Sequence, residues 1–207
     1  MVVSPARAGR ERGQGEPTQA GARRTPRRLV VGMAGAPGAT YTLGLLALSR
    51  KLEIESHLVT CGCSRSIIFS ETGLSLRQLR SRADGWYHER NQAAAISSGS
   101  FITLGMVILP CTMRSLAAIV TGVADNLVQR AADVTMKEGR RLVVVIAESE
   151  QSAIGKENLR RAEDVGIRVL SLGSAEASRR VEEVAEEVAA CLGIGTGGAE
   201  QPGLALP

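Results

Sequence analysis

Three glycines, at positions 32, 35 and 38, punctuate the stretch Arg28 to Ala39, RLVVGMAGAPGA, and they are the first residues of the chain with a chemical use. The apolar run Leu29-Val30-Val31 stops at them, and a helical pattern starts directly afterwards. Strand, glycine turn and helix together present backbone N–H groups and a helix N-terminus to an anion. The same order opens many parallel-sheet proteins that bind no nucleotide, so the turn alone leaves both readings open. A second junction of this kind is Pro110-Cys111-Thr112-Met113-Arg114-Ser115, which ends one apolar run and begins a helix. Its hydroxyls, Thr112 and Ser115, suit a phosphate or the edge of a flavin; Thr112 equally suits a plain N-cap. Ser97-Ser98-Gly99-Ser100 is a small polar loop that either cradles an anion or turns the chain.

Other candidates are weaker. Arg130, Asp133 and Lys137 share one helix face, with Glu138 beside them, and intrahelical ion pairs explain the spacing as well as a charged site does. Cys61-Gly62-Cys63 has one intervening residue and no further ligands nearby, which favours small buried residues over a redox or metal pair. Four cysteines and two histidines match no zinc spacing, so no metal is expected. Glu71-Thr72-Gly73 reads as a helix stop. No Ser-His-Asp set can be assembled.

The elements that must position these residues alternate regularly. Helices are expected over Ala39–Leu52, Ser64–Ser70, Met113–Val120, Asp125–Glu138 and Gly155–Val165, with a last one carrying the stripe Val181, Val184, Ala185, Val188 and Leu192. Leu74 to Arg82 is a short amphipathic piece. Strands are expected at Glu55–Thr60, Gly105–Pro110, Arg141–Ala147 and Ile167–Leu172, after the first at Leu29. Asp84 to Gln92 reads as a polar segment, and Ala93 to Ser100 as small and flexible. Alternation of this kind predicts a parallel sheet with helices on both faces, the ligand edge lying at the strand C-terminal ends. The loops expected there are Gly32–Gly38, Cys61–Ser64, Ser97–Ser100, Pro110–Ser115 and Ala147–Gln151.

With 207 residues, 44% of them hydrophobic and 22% charged, the chain suits one globular domain. No apolar run approaches the roughly 20 residues of a membrane span, and no secretory pattern is seen, so a cytoplasmic protein with reduced thiols is expected. The net charge of +4 is concentrated in one place. Residues 1–28 hold seven arginines against two glutamates, a surplus of five, which leaves the remainder at −1. The reading is a disordered basic tail over 1–27, a folded domain over 28–194 and a disordered tail over 195–207, with no nucleic-acid partner.

Taken together, GMAGAPGA, ESHLVT, SETG, AAAISSGS, GMVILPCTMRSLAAIVTGVADNL and RAADVTMKEGRRLV, followed by Glu148, resemble the flavin prenyltransferases of UbiX type. The resemblance runs from Arg28 to about Glu148. It implies a flavodoxin-like Rossmann fold, a three-layer αβα sandwich, assembled as a homododecamer. It also implies binding of reduced FMN and transfer of a dimethylallyl group from dimethylallyl phosphate to the flavin N5 and C6. The product, prenylated FMN, would serve a prenyl-FMN-dependent decarboxylase. Carried over residue by residue, Gly35, Ala36, Pro37, Cys61, Thr112, Met113, Arg114, Ser115 and Arg130 would touch the flavin. Ser98, Gly99 and Lys137 would meet the substrate, and Glu148, Lys137 and Glu71 would be catalytic. The related cysteine decarboxylases are a poorer match, because they use a histidine on an early helix and neither His57 nor His88 falls on one.

The chain departs from the family pattern at several phosphate-binding positions. Pro37 replaces a serine, removing a hydroxyl and an N–H. Cys61 replaces another serine, a stronger hydrogen-bonding group than a thiol. The motif Arg-Glu-Thr-Pro reads Ala147-Glu148-Ser149-Glu150, so the arginine is lost. Leu170 to Ala175 contains no counterpart of the tyrosine that covers the prenyl phosphate, and Glu187 falls where the family has a basic residue. Each charge-assisted contact to an anion is worth roughly 1.5–3 kcal/mol. Losing two or three weakens prenyl-phosphate binding on the order of a hundredfold or more. The expectation is a flavin-binding protein with weakened prenyl transfer that carries or matures the cofactor. The alternative is an active transferase.

Overall fold

Three strands, β1 (Arg28–Met33), β4 (Gly105–Cys111) and β5 (Arg141–Ile146), form the middle of the sheet. Apart from Arg28 and Arg141 at their starts, every residue in them is buried. Both sheet faces are covered, which is why these sequences run apolar without alternation. The computed structural model describes residues 27–35, 37–62, 64–147, 152–172 and 179–195. Both expected tails, except Arg27 and Gly195, lie outside them, as do Ala36, Cys63 and Glu148.

The full sheet has six strands in the order β3-β2-β1-β4-β5-β6, all parallel. Here β2 is Glu55–Thr60, β3 is Gly85–His88 and β6 is Arg168–Ser171. The chain moves outward from β1 to β3, then crosses back to β4. That reversal places the switch point between β1 and β4, where ligands of open α/β sheets bind. On one face α1 (Ala39–Lys51), α2 (Ser64–Thr72), α3 (Leu76–Arg80) and α7 (Val181–Cys191) pack on a core of Leu29, Val31, Leu58, Val143 and Val145. On the other, α4 (Met113–Val120), α5 (Leu127–Lys137) and α6 (Ala153–Asp164) pack on Val30, Met106, Ile108 and Val144. Adjacent residues such as Val30 and Val31 thus serve opposite layers, as the two-residue period of a strand requires. The fold is the three-layer αβα arrangement expected from the alternation.

Two local readings change. The polar segment 84–92 contains the edge strand β3, and the flexible segment 93–100 contains a short 3₁₀ turn at Ala95–Ser97. Among the described residues, no helix is long and apolar enough to cross a membrane.

The first half of β2 buries a titratable group. His57 is 5% exposed. Its Nε2 lies 3.0 Å from Glu55 Oε1, and its Nδ1 lies 3.1 Å from the Tyr87 hydroxyl. The ring edge meets Phe101, whose other neighbour is the Arg28 guanidinium, itself paired with Glu55. Loss of water lowers the His57 pKa below 6.5; the charge of Glu55 opposes this and that of Arg28 adds to it, with Asp84 a smaller opposing charge. A lowered folded-state pKa means that the unfolded chain takes up the proton first as pH falls. Stability from this residue is therefore complete above 6.5 and declines as pH drops toward the folded value. Urea midpoints are expected to fall between pH 7.5 and pH 5, and the fall should shrink in His57→Gln whatever that variant's absolute stability.

Candidate functional site

The glycine turn leaves β1 at the switch point and enters α1. Gly35 and Gly38 have φ of 84° and 125°, conformations that side chains rarely adopt. A Cβ on Gly38 would also lie 3.2 Å from Leu172 Cδ1 and 3.3 Å from Pro110 Cβ. Pro37 is exposed at the outer bend. Backbone bonds tie the neighbouring loops to this turn: Ala34 N–H donates to Pro110 O at 3.0 Å, and Cys61 N–H to Met33 O at 3.1 Å.

The start of α1 already holds an anion. Gly38 N–H donates to both Glu71 carboxylate oxygens at 3.0 Å, and Ala39 N–H to Glu71 Oε2 at 2.7 Å. Glu71 is the penultimate residue of α2 and more than a helix stop. That helix runs along the sheet edge and carries the carboxylate to the free donors of α1. The turn is thus built for a negative charge, and the chain supplies one itself. Glu71→Ala is expected to cost about 1–2 kcal/mol and lower the melting temperature by roughly 2–6 °C. A thermal melt measures it, and Glu71→Gln, which keeps an acceptor, should lose less.

The second loop is Cys61–Ser64. The thiol of Cys61 lies 3.1 Å from Ser64 Oγ, which in turn donates to Met33 O at 3.4 Å. Glu89, just past β3, anchors this loop: its Oε1 accepts from Gly62 N–H at 2.9 Å, and its carbonyl accepts from Leu127 N–H at 2.7 Å. The start of α5 is thereby fixed against the loop, and Asn126 caps it by accepting from Gln129 N–H at 3.0 Å. Arg130 follows one turn in and pairs with Asp133 at 2.7 Å. The ion-pair reading of that spacing holds for these two. The third loop opens α4. Thr112 accepts from Ser115 N–H at 3.1 Å and donates to Ser115 Oγ at 3.0 Å, a true N-cap; Arg114 is exposed beside it.

Gly35, Pro37, Cys61, Glu71, Thr112, Met113, Arg114, Ser115 and Arg130 therefore gather at the C-terminal edge of the sheet. Ser98, Gly99 and Lys137 do not. Gly99 O accepts from Arg140 at 2.7 Å and Phe101 O accepts from the same guanidinium at 3.0 Å, while Leu104 N–H donates to Arg28 O. Those partners are Arg28, the first residue of β1, and Arg140, the residue just before β5. Lys137 ends α5 four residues before β5 begins, at the same end. A six-residue strand spans about 20 Å. Loop 97–100 therefore does not line the edge it was expected to line: the chain descends from Asn91 across the α5 face before entering β4 from below. In one protomer the flavin-edge set and the Ser98–Lys137 set sit at opposite ends of the strands.

At the end of β5, Ala147 is half-buried and packs against the core that includes Met33, Ala39 and Leu172. Glu187 is not an isolated charge reversal, because Arg179 pairs with it and also donates to Ser171 O at 3.3 Å. Sequence reading missed Asn126, Glu89 and Arg179. An asparagine just before an apolar-periodic stretch was a usable signal for the first; the other two are defined by partners distant in sequence. Among the described residues, no His, Cys, Asp and Glu cluster could hold a metal ion.

Comparison with known proteins settles the family. Residues 18–203 match the Flavoprotein family. A probable UbiX-like flavin prenyltransferase from Streptomyces sp. (strain D7) is 48% identical over 144 residues, covering 69% of this chain and 72% of that protein. The chain belongs to the UbiX-like flavin prenyltransferase family. Two solved UbiX-like structures share its fold. A dodecameric FMN-dependent UbiX-like decarboxylase from Escherichia coli O157:H7 superposes with a TM-score of 0.71 at 39% identity, over 80% of this chain and 91% of that one. AnUbiX (PadA1), solved with FMN and dimethylallyl pyrophosphate, superposes with a TM-score of 0.76 at 33% identity, over 87% of this chain and all of that one. Pro37, Cys61 and Ala147, the positions at which the sequence reading expects this chain to depart from that family, follow β1, β2 and β5 at the C-terminal edge of the sheet.

Proposed function

We propose that this protein binds FMN or prenylated FMN at the C-terminal edge of the sheet, with weakened prenyl transfer, and hands the cofactor to a prenyl-FMN-dependent decarboxylase. The observation that carries the reading is Ala147, an apolar residue packed into the core at the end of β5, where the family resemblance implies a phosphate-binding arginine. The residues present fit a flavin phosphate. Two backbone N–H groups converge on a carboxylate at the start of α1, and the hydroxyls of Thr112 and Ser115 stand with Arg114 and Arg130 on the adjacent helices. Because Glu71 takes the α1 donors, the cations and hydroxyls of α4 and α5 are the better holders of the phosphate. Reduced FMN, when bound, supplies the N5 and C6 positions that accept a dimethylallyl group.

Ser98, Gly99 and Lys137 can join such a site only from another copy, since in one protomer they sit at the far end of the strands. This supports a homo-oligomer, a dodecamer like the E. coli relative. Glu148, the proposed proton-handling residue, lies outside the described residues. The second reading, an active flavin prenyltransferase, is favoured by the relative solved with FMN and dimethylallyl pyrophosphate. In that case Arg114, Arg130 and Lys137 share the phosphate.

The test is anaerobic incubation with FMN, a reductant and dimethylallyl phosphate or pyrophosphate, followed by mass measurement of the released flavin. Cofactor retained on a desalting column without a dimethylallyl mass gain is the expected result. A gain at enzymatic rates establishes the second reading instead. Failure to retain FMN or prenylated FMN rejects both.

A further inference from the structure

A cavity of about 890 Å3 opens between α2 and α3 and reaches the Cys61–Ser64 loop at Gly62. Arg65, Arg77 and Arg80 line it, and no acidic residue does. Among the described residues, none of the three has an ion-pair partner. The Arg80 guanidinium lies over the ring of Trp86, 3.2 Å from its centre, and the Arg80 Nε is buried with no hydrogen-bond partner. Burial, and then the like charge of Arg65, hold the Arg80 pKa below its usual range. Uncompensated cations converging on a cavity, one with an unsatisfied buried donor, have the chemistry to hold an anion.

The rest of the lining says what kind of anion. Phe69 is 65% exposed, although it is one of only two phenylalanines in the chain, and Leu76 lies on the α3 wall. Exposed aromatic surface beside guanidinium groups suits an apolar or aromatic group attached to the charge. The volume exceeds the need of a bare phosphate and matches a small-molecule pocket. Gly62 at the rim gives no competing donor, since its N–H is held by Glu89.

We propose that the cavity between α2 and α3 is a second site, for a small organic phosphate bearing an apolar or aromatic group, with Arg65, Arg77 and Arg80 holding the phosphate and Phe69 the apolar part. The site meets the flavin edge at Gly62 alone, and its arginines and Phe69 are not among the residues assigned to that edge.

Trp86 is the only tryptophan, so its emission reports on Arg80 directly. The purified full chain is titrated with phenyl phosphate, with inorganic phosphate, and with chloride at matched ionic strength, and calorimetry runs in parallel. Phenyl phosphate should give a saturable emission change that chloride does not. The Arg65→Gln plus Arg77→Gln variant should weaken binding by about tenfold or more. Phe69→Ala should weaken phenyl phosphate while leaving inorganic phosphate unchanged. Both variants should retain FMN as the parent does, so loss of FMN binding by the parent bears on the flavin edge alone. No saturable change beyond chloride, or equal affinity in the arginine variant, overturns the proposal. So does tighter saturation by a polyglutamate peptide than by phenyl phosphate, which assigns the face to a protein partner.

Discussion

Replacing Ala147 by arginine is expected to tighten dimethylallyl phosphate binding to the flavin-loaded protein by roughly ten- to a hundredfold, the value of one charge-assisted contact to an anion. Ala147 follows the last residue of β5 and packs on the same core as Ala39 and Leu172, both of which adjoin the glycine turn. A guanidinium placed there starts beside the cofactor edge, where the Glu71 carboxylate is already engaged by the Gly38 and Ala39 N–H groups. Calorimetry reads the affinity, and the mass of the released flavin shows whether tighter binding also restores transfer. Ala147→Gln, similar in reach but uncharged, should change little. If arginine leaves affinity unchanged, the loss at this position is not what weakens the phosphate site, and the carrier reading loses its main support.

Gly105→Ala is expected to be the most damaging single change to the fold. Gly105 begins β4 between Leu29 and Arg141, with φ of 151°. A Cβ there would lie 2.5 Å from the Arg141 carbonyl oxygen and 3.0 Å from Leu192 Cδ2. The first obstacle is backbone of the neighbouring strand, so relief requires moving β5 or unzipping the start of the ladder. Backbone strain together with the clash amounts to about 3 kcal/mol or more. Urea unfolding should show the midpoint drop at unchanged slope. A loss under 1 kcal/mol would mean that the β4–β5 junction is softer than its geometry indicates.

The central strands could be read from sequence because burial on both faces leaves only one pattern, the unbroken apolar run seen in Val107-Ile108-Leu109 and Leu142 to Ile146. The outer strand β3 could not, since Gly85 to His88 is short, sits among polar residues and buries only part of its surface. Trp86 and Tyr87 side by side were its one signal. At the site, the described parts of the loops after β1, β2 and β4 lie where topology alone places them, while the loop after β5 falls outside the described residues beyond Ala147. Loop 97–100 does not lie where it was expected, because a long connection can enter the next strand after crossing either face, and small residues carry no directional information. The partnership of Glu71 with Gly38 and Ala39 was equally hidden: 32 or 33 residues separate the groups, and only the path of α2 along the edge brings them together.

Both outer strands of the sheet are four residues long, against six or seven for the inner ones. Short margins of this kind offer an approaching chain only a few unpaired amide and carbonyl groups, and His88, Arg168 and Ser171 place polar or charged side chains along them. The runs most prone to cross-β stacking, such as LVVVI in β5, are interior: β6 covers β5 on one side and four strands lie on the other. Edge-to-edge pairing through the apolar inner strands therefore requires β3 or β6 to leave its neighbour first.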